Sequence, residues 1–119
     1  MSQKRPILEP LDGKRLLVHL VVNVEHWQFD RPMPRKLLTA PHGLEMTPDI
    51  PNYCWAEYGM RCGMPRILKC FKERSLPASV SINASVIDAY PDLANEMLNA
   101  DWEFIGHGVH QQSIQAEEN

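Results

Sequence analysis

No stretch of this sequence is apolar for long enough to cross a bilayer. The longest such run, Leu16 to Val24, is interrupted by His19, and a spanning helix needs about 20 apolar residues. Lys14 and Arg15 precede it in the manner of a signal peptide. Asn23, Glu25 and His26 then occupy the place where a small-residue cleavage site is required, so secretion is not expected. Cysteine is scarce. Cys54, Cys62 and Cys70 are odd in number and form no close pair, which argues against a disulfide framework and against a zinc ribbon. Reduced thiols in a cytoplasmic protein are expected. Basic charge is not in excess either: 12 Lys and Arg stand against 15 Asp and Glu. Without a surplus of cations to meet phosphates, nucleic acid is not an expected partner, and no membrane association is expected. Internal repeats and low-complexity tracts are also missing.

What remains is an ordinary globular composition. The chain of 119 residues is 44% hydrophobic and 23% charged, which suits one packed core and excludes a disordered chain. Residues 1–14 are polar and contain proline, and read as an arm. Residues 15–119 read as the domain. Its first strand is expected at 15–24, where a nearly continuous β-branched run suits burial on both faces, as in a parallel sheet. Residues 26–57 hold Pro32, Pro34, Pro41, Pro48 and Pro51. Proline removes backbone donors and blocks helices, so a long irregular loop is expected there. Its length is unusual for a structureless loop and points to a functional segment.

A helix is expected from Pro65, which suits a first turn because its missing N–H costs nothing there. Met64, Ile67, Leu68 and Phe71 repeat at helical spacing and give one buried stripe. Pro77 blocks continuation. Ala78 to Asn83 reads as a strand. Ser85 is a candidate cap with Asp88 three residues on. Pro91 opens another helix that buries Leu93, Met97 and Leu98, and Trp102 to Gly106 reads as a third strand. Strands alternating with helices imply an α/β fold with parallel strands and right-handed crossovers.

In such folds the chemistry collects at the C-terminal ends of strands. Glu25 and His26 fall at the end of the first strand, Asn83 at the second, and His107 and His110 at the third. A carboxylate beside imidazoles is equipment for general acid–base catalysis or for metal-assisted hydrolysis. Arg61 lies just before the Pro65 helix, where it can meet an anionic or carbonyl group of a ligand. Arg61 and Asn83 are thus candidate substrate-binding residues. Trp27, Tyr53 and Trp55 are placed either to stack on a substrate ring or to anchor the loop. Gly106-His107-Gly108 lacks the third glycine of a dinucleotide-binding turn.

Three segments together resemble the polysaccharide deacetylase (NodB-homology) superfamily. They are Val22-Asn23-Val24-Glu25-His26, Glu57-Tyr58-Gly59-Met60-Arg61-Cys62-Gly63 and Trp102-Glu103-Phe104-Ile105-Gly106-His107-Gly108. With Arg31-Pro32-Met33-Pro34-Arg35, they look closest to the allantoinase-like branch, over residues 15–115. The resemblance implies a distorted (β/α) barrel that hydrolyses a C–N bond, usually an N-acetyl amide. The substrate is then a carbohydrate or a small amide or ureide. Typical members end strand one in two adjacent aspartates, a general base and a metal ligand; here these positions hold Glu25 and His26. The family's third strand carries two histidine ligands four residues apart; His107 matches the first, Gln111 stands at the second, and His110 is next to it.

Two mechanisms are implied. In one, His26, His107 and His110 hold a divalent metal such as zinc and Glu25 deprotonates its water. In the other there is no metal, and Glu25 and His107 carry the proton transfers. The family's later Arg/Pro and Leu-His motifs have no counterpart before Asn119. The chain therefore reads as the N-terminal part of a barrel. It is expected to be inactive alone, and to self-associate or to take a second chain that completes the site. The alternative is a catalytically inactive partial barrel that serves as a binding or assembly subunit.

Overall fold

The computed structural model describes residues 11–112. The proposed arm at residues 1–14 lies mostly outside this span. Three short strands, β1 (Val21–Val24), β2 (Ser79–Ile82) and β3 (Glu103–Gly106), form one sheet in the order β1-β2-β3. Both pairings are parallel, with Val22 opposite Val80 and Val80 opposite Phe104. The parallel α/β arrangement inferred from the alternation of elements is therefore present.

β1 is shorter than expected. Leu16, Leu17 and Val18 are 77%, 80% and 67% exposed; their run is apolar, but β2 offers only four residues to pair with, and among the described residues nothing packs over the rest. β2 is buried at all four positions, as befits a central strand.

The sheet has two unlike faces. Val22, Val80 and Phe104 share one face with Val24 and Ile82, and this face meets the helices in a core that includes Met60, Met64, Leu68, Met97 and Trp102. The other face carries Asn23, Ser79, Ser81 and Glu103. There Ser79 Oγ accepts from His19 Nε2 at 2.8 Å and donates to the Glu103 carboxylate at 2.9 Å. One buried hydroxyl thus ties the two edges of the sheet to its centre.

The loop after β1 ends sooner than expected. Helix α1 occupies Ile50–Tyr58, capped by the Asp49 side chain on the Asn52 amide, with Pro51 in its first turn. A loop over 26–57 is thus corrected to one that closes at Asp49. Asn52, 1% exposed, pins it: its side chain accepts from the amides of Leu37 and Leu38 and donates to the Leu38 carbonyl.

The helix expected from Pro65 does not begin there. A π turn at Gly59–Gly63 carries α1 directly into α2 (Met64–Glu73), with the Met64 amide bonding back to the Gly59 carbonyl. Pro65 can donate no bond, and its ring would crowd the Arg61 carbonyl in a regular α-helix. The wider turn absorbs both problems. The apolar stripe of α2 falls as expected: Met64 and Leu68 are buried, and Ile67 and Phe71 pack against the same core.

Helices α3 (Ser85–Ala89) and α4 (Pro91–Asn99) come after β2. Ala84, not Ser85, holds the cap position of α3, and it makes no side-chain cap bond. In α4, Ala94 and Met97 are buried but Leu98 is 59% exposed. Leu98 lies one position past Met97 and so turns about 100° off the buried line. Among the described residues, no helix is long and apolar enough to cross a membrane.

Candidate functional site at the strand ends

The three strands end side by side, and Asn83 joins the segments that leave β1 and β3. This residue is fully buried. Its Oδ1 accepts from the His26 amide at 2.9 Å, and its Nδ2 donates to the His107 carbonyl and to Gln111 Oε1. The Gln111 amide in turn bonds the His26 carbonyl at 3.2 Å. One side chain at the end of β2 thus fixes both neighbouring strand exits.

His26 turns towards the helices. Its Nδ1 shares a hydrogen bond of 2.9 Å with Ser85 Oγ, so the serine serves the site and not the helix cap. The edges of the Tyr90 and His110 rings approach it, with centroids 5.9 Å and 6.0 Å away. Burial holds the His26 imidazole below its ordinary value, and repulsion from His110 adds to this, against a smaller opposite pull from Glu57. The ring is therefore neutral near pH 7. His110 is half-buried, and its Nδ1 is the buried side-chain nitrogen or oxygen left without a partner among the described residues.

Beyond Tyr90 lies a group that strand-end reasoning missed. The Tyr90 hydroxyl donates to the Glu57 carboxylate, which also takes the Arg61 Nε at 2.6 Å. Burial alone would raise the Glu57 carboxyl, but the bonds from Tyr90 and Arg61 outweigh it and hold the group below its ordinary value. Burial and the same carboxylate push the Tyr90 phenol up. Arg61 was expected beside the positive end of a helix. Because α1 and α2 run together through the π turn, no free amide end exists there, and Arg61 instead pairs with Glu57 across one turn.

The remaining candidates are placed differently. The Glu25 carboxylate accepts from Trp27 Nε1 at 3.0 Å. Trp27 is buried, which makes it an anchor of the loop; Tyr53 packs edge-on against Phe29, and Trp55 is exposed. His107 gives its backbone to the site through its carbonyl and through its amide, which bonds the Ile82 carbonyl, while the residue itself is exposed. The structure thus brings His26, Asn83 and His110 together, adds Ser85, Tyr90 and Glu57, and leaves the Glu25 and His107 side chains on the margin.

A parallel sheet with polar groups gathered at its carboxyl ends is the arrangement of an α/β enzyme or binding domain. The sequence profile of the polysaccharide deacetylases matches residues 50–119, and the chain belongs to that family. No curated protein and no solved structure matches it. The matched span contains Glu57, Arg61, Asn83, Ser85, Tyr90, His107 and His110, and leaves Glu25 and His26 outside.

The divalent metal implied by the family resemblance does not fit the side chains as they stand. Among the described residues no group of three His, Cys, Asp or Glu side chains is arranged to hold an ion. The exposed His107 does not complete a set with His26 and His110.

Proposed function

We propose that this chain contributes to hydrolysis of a C–N bond, in an N-acetyl sugar or a small amide or ureide, at the mouth of a barrel-like fold. The observation that carries the reading is the Asn83-centred junction, which binds the ends of all three strands into one polar cluster within a chain of the polysaccharide deacetylase family. Glu25, at the end of β1, takes a proton from the attacking water. His107, on the β3 side, returns one to the departing nitrogen. The neutral His26 accepts a hydrogen bond from the substrate or its water, held in register by Ser85 and Asn83. Arg61 keeps its outer guanidinium nitrogens for the substrate carbonyl, since Glu57 engages Nε. The allantoinase-like reading favours this route without a metal. Free Cys54, Cys62 and Cys70 accord with a cytoplasmic setting.

A second reading, an inactive binding or assembly subunit, draws support from the same geometry. The Glu25 carboxylate is occupied by Trp27, and the His107 residue is exposed. One experiment separates the two. Purified protein is assayed for acetate release from N-acetylglucosamine oligomers and for ring opening of allantoin, beside Glu25→Gln and His107→Ala. Turnover that falls at least about 100-fold in both variants is expected. No turnover by the unaltered chain in its self-associated form favours the subunit reading. Near-stoichiometric zinc in the purified protein, lost in His107→Ala, would replace the metal-free route with the metal-assisted one.

A further inference from the structure

A groove of about 1230 Å³ runs between α2 and α4. Its floor is apolar, with Leu68 and Trp102 buried beneath it and Phe71 packed beside them. Its two walls are charged with opposite sign. Arg61, Lys69 and Lys72 stand on the α2 side, and Asp92, Glu96 and Asp101 on the α4 side. The separation is written into the chain. All twelve Lys and Arg lie at or before Arg74, and the residues after it include seven Asp and Glu and no basic residue. Local pairing reduces the contrast without removing it. Arg61 is matched by Glu57, and Lys69 lies 3.7 Å from Glu73, a residue outside the groove.

We propose that this groove is the contact between two copies of the chain, related by a twofold axis that lies along the groove. A patch that docks on its own copy must be self-complementary. With the axis along the groove, the basic wall of each copy meets the acidic wall of the other. Lys69 and Lys72 then face Asp92 and Glu96 of the second copy. An axis across the groove would set like charges together, and their repulsion disfavours it. The pattern therefore selects both the partner and its orientation. A foreign segment would need the same split of charge, whereas a second copy already carries it. The meeting walls set register and speed of encounter, and rim side chains such as Leu76, 39% exposed, lose contact with water on docking. Arg61 belongs both to this wall and to the proposed site, whereas Lys69, Lys72, Asp92 and Glu96 belong to the groove alone.

Sedimentation of the full chain over a range of salt tests the proposal. A dimer is expected at low salt. It should weaken as salt rises, because the screening length shrinks from about 10 Å at 0.1 M to about 3 Å at 1 M. Lys69→Glu with Lys72→Glu makes both walls acidic, and Asp92→Lys with Glu96→Lys makes both basic. Each double variant should dimerise at least about 100-fold more weakly than the unaltered chain. An equimolar mixture of the two should dimerise again, and so should the fourfold variant, in which the walls have exchanged sign. All four positions are exposed, and circular dichroism establishes that the variants are folded. A monomer at low salt overturns the proposal. So do double variants that remain dimeric, which would put the contact elsewhere, such as a sheet edge. A mixture and a fourfold variant that both stay monomeric overturn it as well.

Discussion

Glu57 draws two donors onto one carboxylate: the Tyr90 hydroxyl and the Arg61 guanidinium. Burial would raise this carboxyl, and the hydrogen bonds together lower it. A carboxyl lowered on folding adds stability above its unfolded value, and that stability is lost as pH falls through the folded value. Its ordinary value is 4.5, so the loss belongs to the acid limb below it. Glu57→Gln should flatten that limb in urea midpoints measured between about pH 6 and pH 3; a limb of unchanged slope would show that Glu57 contributes little. Tyr90→Phe should cost about 1–3 kcal/mol at neutral pH, because it removes a hydrogen bond to a charged group. Midpoints that match the unaltered chain would count against the link. Strand-end residues such as His26 and Asn83 were legible in the sequence because parallel topology says where strand ends gather. Glu57 and Ser85 were not. Their partners lie 33 and 59 residues away, Tyr90 between α3 and α4 and His26 just past β1, and no spacing in the sequence points to either.

Prolines decided which elements the sequence revealed. Pro91 opens α4 as expected. Pro51 also sits in a first turn, yet among five prolines it read as one more breaker, and α1 was hidden by its neighbours. Pro65 read as a beginning, whereas the π turn lets the chain run through it. The amphipathic stripe of α2 survived because packing against the sheet fixes it whatever the helix start. Leu68→Ala should therefore cost about 2–5 kcal/mol in denaturant unfolding, and a change under about 0.5 kcal/mol would mean that the stripe is not core. Asn52 makes a separate test of the loop. Asn52→Ala removes the acceptor for two amides, so Leu37 and Leu38 should exchange with solvent up to about tenfold faster, given the roughly 0.5–1.5 kcal/mol net worth of a hydrogen bond. Unchanged exchange at both amides would locate the anchor elsewhere, in Trp27 for instance.

The described part of the molecule is an open sheet whose one apolar face meets the helices. The three strands carry the core, and both β1 and β3 present an open edge among the described residues. Less surface is therefore buried per residue than in a closed domain. Urea unfolding should give a slope below the roughly 1–3 kcal/mol/M usual for small proteins, and a slope within or above that range would show a tighter assembly in solution. At this scale the π turn does more than accommodate a proline. Each added residue advances a helix by about 100°, so the five residues from Gly59 to Gly63 act as a phase setting between two halves of one rod. The α2 half is locked by Leu68 in the core, and the α1 half aims Glu57 at Tyr90 and holds the loop through Asn52. A change of one residue in length within that turn would leave every side chain in place in the sequence and still swing Glu57 away from the strand mouth. The angular timing of the rod, as much as the identity of its residues, is what the site inherits from the sequence.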